Sequence, residues 1–294
     1  MTTIPCPICG QPSRRYYAAT TDDPTRLYQP ANFQCTSINV RDHGPIFRCS
    51  SCRVGFIWPQ PTSRQLEALY TTGQDKAYLT DDRSRRETSD RIIRRFLGEG
   101  SGRTVLDVGC HTGLFLDVAR QYGWRSLGVE PNAWARAYAK KHFGIAVAPT
   151  IEQLPAQSFD AITLFDVIEH VPKPTNFLRR LRDFSKPATQ LVISTPNFDA
   201  PLARLLRARW YCIRQQHLFY FTEQSLRHLM QMAGWRLVDR HPFSRAFTLA
   251  SWNDRVQKFF PPAGAIGRLL IHPWQTKCVT IPLGDEMIIT GQPL

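Results

Sequence analysis

The feature that most restricts the fold of this chain is the stretch from Thr104 to Leu116. An apolar strand, Val105-Leu-Asp-Val108, runs straight into a glycine-bearing turn, Gly109-Cys-His-Thr-Gly113, and then into a helix. Glycine at 109 and 113 permits backbone conformations and close ligand approach that a side chain would obstruct, and the helix start offers free N–H groups. The next apolar run, Ser126-Leu-Gly-Val-Glu130, ends in an acid. At about twenty residues' distance, such a carboxylate lies beyond the carboxyl edge of the sheet, placed to accept hydrogen bonds from ribose hydroxyls. Strand, glycine turn, helix, second strand and terminal acid together specify much more than a lone glycine pattern.

From Thr104 onward, short apolar runs alternate with amphipathic segments, the pattern of a parallel sheet wrapped by helices. Strands are expected at 104–108, 125–130, 145–148, 159–165, 189–195, 235–241 and 285–291. Helices are expected at about 113–122, 132–143, 174–184 and 222–233, the last capped by Thr222 and stopped by Gly234. Upstream, Thr62 can cap a helix through about Tyr70, and Asp82 to Leu97 reads as a second helix. Val54 to Pro61 reads as a strand ending in a proline-marked linker, which puts a domain boundary near residue 60. The expected organisation is a small module over 1–60 and an α/β domain over 61–294, with lid or substrate insertions at about 196–221 and 242–284.

The small module is predicted from cysteines. Cys6 and Cys9, and Cys49 and Cys52, form two pairs with two residues between partners, while Cys35, Cys110, Cys212 and Cys278 are scattered. Such a spacing lets both sulfurs of a tight knuckle face one point, so two knuckles complete a tetrahedral zinc site. The 39 residues between Cys9 and Cys49 require an inserted hairpin or loop, and Cys35 or His43 could replace a ligand. No pattern places either pair at a helix N-terminus, where a redox thiolate would be activated.

The N-terminus lacks the basic start and apolar run of a secretory signal, and no apolar stretch is long enough to span a bilayer. A cytoplasmic location with reduced thiols is therefore expected. Thirty-seven Lys plus Arg against twenty-four Asp plus Glu give a net charge of +13, which favours anionic partners. Part of that charge lies in Arg83, Arg85, Arg86, Arg91, Arg94 and Arg95, and part in Arg204, Arg207, Arg209 and Arg214. The ordinary reading of such runs is a solvated helix face. The basic, aromatic-bearing run Leu202 to Tyr211 suits a lid or peripheral contact with a membrane.

The glycine loop, Glu130 and the run Phe159-Asp-Ala-Ile-Thr-Leu-Phe-Asp-Val-Ile-Glu-His-Val-Pro172 resemble the class I S-adenosylmethionine-dependent methyltransferases over roughly 104 to 241. The likeness is to the ubiquinone-type and related small-molecule group. It implies a Rossmann-like seven-stranded fold preceded by a four-cysteine, zinc-ribbon-like module. That family's loop usually reads Asp-x-Gly-Cys-Gly-x-Gly. Asp107, Gly109, Cys110 and Gly113 match it and His111 departs, leaving backbone groups to bind. The resemblance implies that Glu130 holds the ribose, that Phe165 and Asp166 border the cofactor, and that Thr150 to Glu152 pass the adenine. It also implies that Asp166, Glu169 and His170 can hold a divalent cation such as Mg2+. Phe47 to Pro61, with Tyr70 and Tyr78, resembles a zinc-binding extension found on some members, and Trp210 to Phe221, ending in the run His217 to Leu226, resembles the family's substrate-side loop.

Methyl transfer from the sulfonium donor is an in-line displacement, so the protein mainly aligns donor and acceptor and, for a hydroxyl acceptor, removes its proton. His170 and His217 are the candidate bases. The function expected is methylation of a hydroxyl or carbon of a small polar or anionic molecule: a sugar, lipid precursor or secondary metabolite. An RNA-modifying enzyme is the alternative, although the chain lacks the Asn/Asp-Pro-Pro-aromatic element that many enzymes methylating base nitrogens carry. A second alternative is a degenerate interaction module in which His111 marks lost cofactor binding.

Overall fold

In the computed structural model, the described residues are 3–21, 23, 26–36, 42–71, 73–259, 267 and 271–294. The front of the chain forms strands β1 (Thr3–Pro5), β2 (Pro12–Tyr17), β3 (Ile46–Cys49) and β4 (Gly55–Ile57), all antiparallel neighbours. Two helices follow, α1 (Ser63–Thr71) and α2 (Asp82–Ile92). The helix expected through Leu97 widens into a π-helical turn over Ile93–Leu97 and stops at Gly98, whose φ of 67° turns the chain away.

The main unit then runs β5 (Thr104–Val108), α3 (Leu114–Gln121), β6 (Arg125–Val129), α4 (Ala133–Phe143), β7 (Val147–Ala148), β8 (Phe159–Phe165), α5 (Pro174–Arg182) and β9 (Ser185–Pro196). It continues with α6 (Pro201–Leu206), β10 (Phe219–Tyr220), α7 (Glu223–Met232), β11 (Trp235–Phe243), β12 (Ala246–Thr248), α8 (Leu249–Phe259), β13 (Cys278–Thr280) and β14 (Glu286–Pro293). Seven strands pair in the order β11-β14-β9-β8-β5-β6-β7. Neighbours from β9 to β7 are parallel, and β14 lies antiparallel between β9 and β11. This is the seven-stranded, Rossmann-like sheet that the resemblance implies; the alternating pattern predicted a parallel sheet, and β14 departs from it by running antiparallel to both neighbours. The chain leaves β5 toward β6 on one side and returns to β8 on the other, which opens a crevice at the carboxyl end of β5.

Strand β10 does not join that sheet. Phe219 and Tyr220 pair with Phe56 and Gly55, so a segment between α6 and α7 supplies the fifth strand of the front sheet. Gly55 allows this close approach, since a Cβ there would lie 2.6 Å from the ring of Phe198. One buried apolar cluster includes Val54 and Phe56 in front, Trp210 and Phe219 between, and Ile162 and Leu164 in the main sheet. Burying large side chains on both sides of that seam stabilises each by about 1.5–3 kcal/mol.

Helix α7 starts as expected. Thr222 Oγ1 accepts from the Ser225 backbone N–H while Ser225 Oγ accepts from that of Thr222, a reciprocal cap. The segment expected as an insertion at 242–284 carries the antiparallel β12–β13 pair, with α8 in the chain between its strands. Residues 260–266 and 268–270 of it lie outside the described residues.

Candidate active site

The crevice opens into a cleft of about 1370 Å³. At its β5 end the glycine loop turns sharply: Gly109 and Gly113 both have φ of 78°, and a Cβ on Gly109 would sit 2.5 Å from Val167 Cγ2. His111, at φ 48°, occupies a left-handed position that favours glycine. Its ring packs at a tilt against Tyr78, 3.9 Å between centroids, and meets Trp134 edge-on at 6.0 Å, and its buried Nδ1 has no partner. Burial holds the pKa of His111 down, at about 4.

Glu130 ends β6 as anticipated. Its Oε2 accepts the His111 backbone N–H at 3.0 Å, and its Oε1 accepts that of Asn132 at 2.8 Å. Each oxygen keeps a further lone pair for a ribose hydroxyl. Asp107 is buried beneath the loop and accepts from Thr163 Oγ1 at 2.6 Å, and burial raises its pKa to about 7. Cys110 packs beneath the turn, where a Cβ on Gly128 would lie 2.6 Å from its sulfur. Phe165 packs edge-on against Phe115, and Thr150, Ile151 and Glu152 line the same end of the cleft. A glycine cradle with no room for a Cβ and a carboxylate with spare lone pairs fit an adenosyl group.

Beyond β8, the residues expected to share a cation divide. Asp166 turns at φ 53° and pairs with Arg245, whose Nε also meets Glu286 at 2.9 Å. Glu169 instead accepts from Thr195 Oγ1 at 3.0 Å, and its other oxygen is buried without a partner. The group that does converge is Glu169, His170 and His217, with candidate ligand atoms within 4.8 Å of one another. Two imidazoles and one carboxylate do not suit Mg2+, which demands an oxygen octahedron. The expected Asp166–Glu169–His170 cation site is therefore not assembled.

His170 and His217 come together, with ring centroids 4.8 Å apart. Nδ1 of His170 lies 2.8 Å from the Gln216 carbonyl, which can only accept, so Nδ1 carries the proton. The Tyr70 hydroxyl lies 2.9 Å from the same nitrogen. Nε2 is then left with a lone pair. Burial brings the His170 pKa to about 4 and pushes that of His217 well below the usual value, so both are neutral at pH 7. Tyr70 stood out in the sequence only within the resembling extension, and nothing local marked Arg245 or Glu286.

The four paired cysteines cluster: Cys6 and Cys52 sulfurs are 3.7 Å apart and those of Cys9 and Cys49 3.5 Å apart, all four within 4.8 Å. A zinc tetrahedron with bonds near 2.3 Å has edges of about 3.8 Å. The donor set fits zinc. Neither considered substitute joins it, since Cys35 lies with Asp75 and His111, and His43 Nδ1 meets the Gly44 carbonyl at 2.8 Å.

A family model described as a methyltransferase domain matches residues 82–240, more than half of the chain. The chain belongs to this methyltransferase-domain family. Among its relatives is the ubiquinone biosynthesis O-methyltransferase of Pseudomonas paraeruginosa, 27% identical over 163 residues, which are 52% of this chain and 63% of that protein. The protein of the same name from Pseudomonas fluorescens is 32% identical over the same shares. The chain thus covers less than two thirds of the length of these relatives. A solved S-adenosylmethionine-dependent methyltransferase from Archaeoglobus fulgidus aligns with 74% of this chain and 100% of its own, at 21% identity and a TM-score of 0.51. At that identity the likeness shows the fold. Both the glycine loop and the histidine of β8's exit fall inside the family match, whereas Tyr70, Arg245 and the cysteine cluster lie outside it.

Proposed function

We propose that the protein transfers the methyl group of S-adenosylmethionine to a hydroxyl or carbon of a small polar or anionic molecule. The observation that carries this reading is the arrangement of one cleft, with the glycine loop and Glu130 at one end and the neutral His170–His217 pair further along. Bound there, the sulfonium cofactor supplies an electrophilic methyl group. Asp107, Gly109, His111, Gly113 and Glu130 hold the adenosyl end, His111 through its backbone, and Phe165 and Asp166 border the reacting end. His170 Nε2 takes the acceptor proton, held in place by Nδ1 donating to the Gln216 carbonyl. His217 shields and orients that ring. Methyl transfer needs alignment above all, and the cleft walls exclude water while both partners are held.

In the same reading residues 1–60 form a zinc module, with Cys6, Cys9, Cys49 and Cys52 as ligands, and residues 61–294 the methyltransferase domain. Leu218 connects the two, since its N–H donates to the Glu169 carbonyl at 2.8 Å and its carbonyl accepts from Ile57 at 3.1 Å.

Calorimetric titration of metal-analysed protein with S-adenosylmethionine and S-adenosylhomocysteine tests the reading. Binding of both with about one zinc per chain is expected. No binding of either by folded, zinc-loaded protein would leave a degenerate interaction module. With an acceptor from a screen of anionic sugars and phenols, His170→Asn should lower kcat by roughly 100-fold or more and leave S-adenosylhomocysteine affinity unchanged.

A further inference from the structure

Three guanidinium groups line the cleft without a carboxylate within 4.0 Å among the described residues: Arg85 on α2, Arg214 in the loop before β10, and Arg255 on α8. Arg85 lies 3.7 Å over the Tyr78 ring and donates to the Tyr78 carbonyl at 3.1 Å. Arg214 donates to the Tyr211 carbonyl at 3.3 Å, and Arg255 lies 4.6 Å over Phe247. These contacts orient the planes and leave most of the donors of each fork unused. Three of the cleft's acids are committed elsewhere, Asp166 and Glu286 to Arg245 and Asp285 to Trp210 Nε1 at 3.0 Å, while Asp82 acts on Arg85 only through its field, beyond ion-pair distance.

Part-buried like charges from three separate elements repel one another, and none of the three positions is needed for the sheet. Burial first, and then the fields of Arg214, Arg245 and Arg85, push the Arg255 pKa down. An arrangement of this kind is stabilised when an anion fills the space between the forks. A carboxylate is saturated by one or two bidentate arginines, whereas a phosphate or diphosphate presents oxygens on several sides.

We propose that Arg85, Arg214 and Arg255 hold a phosphate or diphosphate group of the methyl acceptor, beside the His170–His217 pair. This assignment rests on the methyltransferase reading for the word acceptor, and on the cleft alone for the anion. Arg214 lies three residues from His217, so a phosphate held there sets the reach of the acceptor from its anchor to the reacting atom. The cleft admits a small phosphorylated molecule; a polynucleotide needs an open surface track of charge.

The probe is inorganic pyrophosphate, titrated into the full, zinc-containing chain with and without S-adenosylhomocysteine. Pyrophosphate is expected to bind and acetate to bind much more weakly. Arg214→Gln and Arg255→Gln should each weaken pyrophosphate by about tenfold or more. Their lysine counterparts should recover part of the loss, and S-adenosylhomocysteine affinity should stay unchanged. Arg236→Gln, on the exposed face of β11, serves as the charge control and should change nothing. Absence of pyrophosphate binding, or equal weakening by Arg236→Gln, overturns the anion site. Equal binding of acetate overturns the phosphate assignment, and tighter, steeply salt-dependent binding of a short single-stranded RNA overturns the small-molecule assignment. Loss of S-adenosylhomocysteine binding in the parent protein, with pyrophosphate binding intact, sinks the methyltransferase reading and leaves the anion site standing.

Discussion

His111 sits where the loop backbone requires φ of 48°, a conformation that costs a non-glycine residue on the order of 1–3 kcal/mol. Its ring contact with Tyr78 and the bond from its N–H to Glu130 offset part of that cost. His111→Gly keeps the N–H, so S-adenosylhomocysteine affinity should be retained or raised while stability changes by less than about 1 kcal/mol. A tenfold loss measured by calorimetry would assign the imidazole itself to the cofactor. Four histidines also set a pH response. His111 and His170 have folded pKa values of about 4, and those of His43 and His217 are lower than the ordinary value, all through burial. At these histidines the unfolded chain binds more protons than the folded one between about pH 6.5 and 4, whereas Asp107, raised to about 7 by burial, acts in the opposite sense. The histidine contribution to stability should be full above pH 6.5 and be lost as pH drops toward 4, by at most on the order of 3 kcal/mol per histidine. Urea unfolding of the parent and of His170→Gln across that range checks the slope, which the substitution should flatten.

At the scale of elements, the decisive pieces are the ends of strands and helices. β5, β6 and β8 deliver the glycine loop, Glu130 and Phe165 to one edge, because each strand runs in the same direction and stops at the same level. α7 anchors the segment that carries His217 and β10, and its buried cap is doubly bonded. Thr222→Ala removes the acceptor for the Ser225 N–H in a site that water does not reach, and should cost about 1–2 kcal/mol in urea unfolding. A cost below about 0.3 kcal/mol would mean that packing of Leu226 and Leu229 alone holds the helix start.

For the whole molecule, the front sheet and the main sheet share one apolar cluster, and the segment between α6 and α7 lends the front sheet its fifth strand. Disturbing the cysteine cluster should therefore reach the cleft. Cys49→Ser is expected to lose zinc and to lower the unfolding temperature by roughly 10 °C, as several kcal/mol at about 2–4 °C per kcal/mol would give. The unfolding should remain a single transition seen alike by tryptophan fluorescence and circular dichroism. Two separated transitions would show instead that the front sheet melts independently of β10.

The amino-acid sequence by itself determined those features whose cause is local. Apolar alternation marked the strands, the spacing of paired cysteines marked one cluster of four thiols, and Gly109, Gly113 and Glu130 marked the β5 end of the cleft, because each such constraint acts over a few residues. It also marked His170 and His217 as residues of the cleft, through the resemblance of their flanking runs. Only the tertiary structure decided what lies across the cleft. Arg245 removes Asp166 from the expected cation set, Tyr70 reaches His170 from a helix 100 residues away, and β10 leaves its neighbours to complete the front sheet. Arg85 and Arg214, from charge runs read as solvated faces, line the same cleft as Arg255, which comes from a segment with no recognisable pattern. Long-range pairings of this kind follow from which surfaces are buried together, and no short-range spacing in the chain encodes that choice.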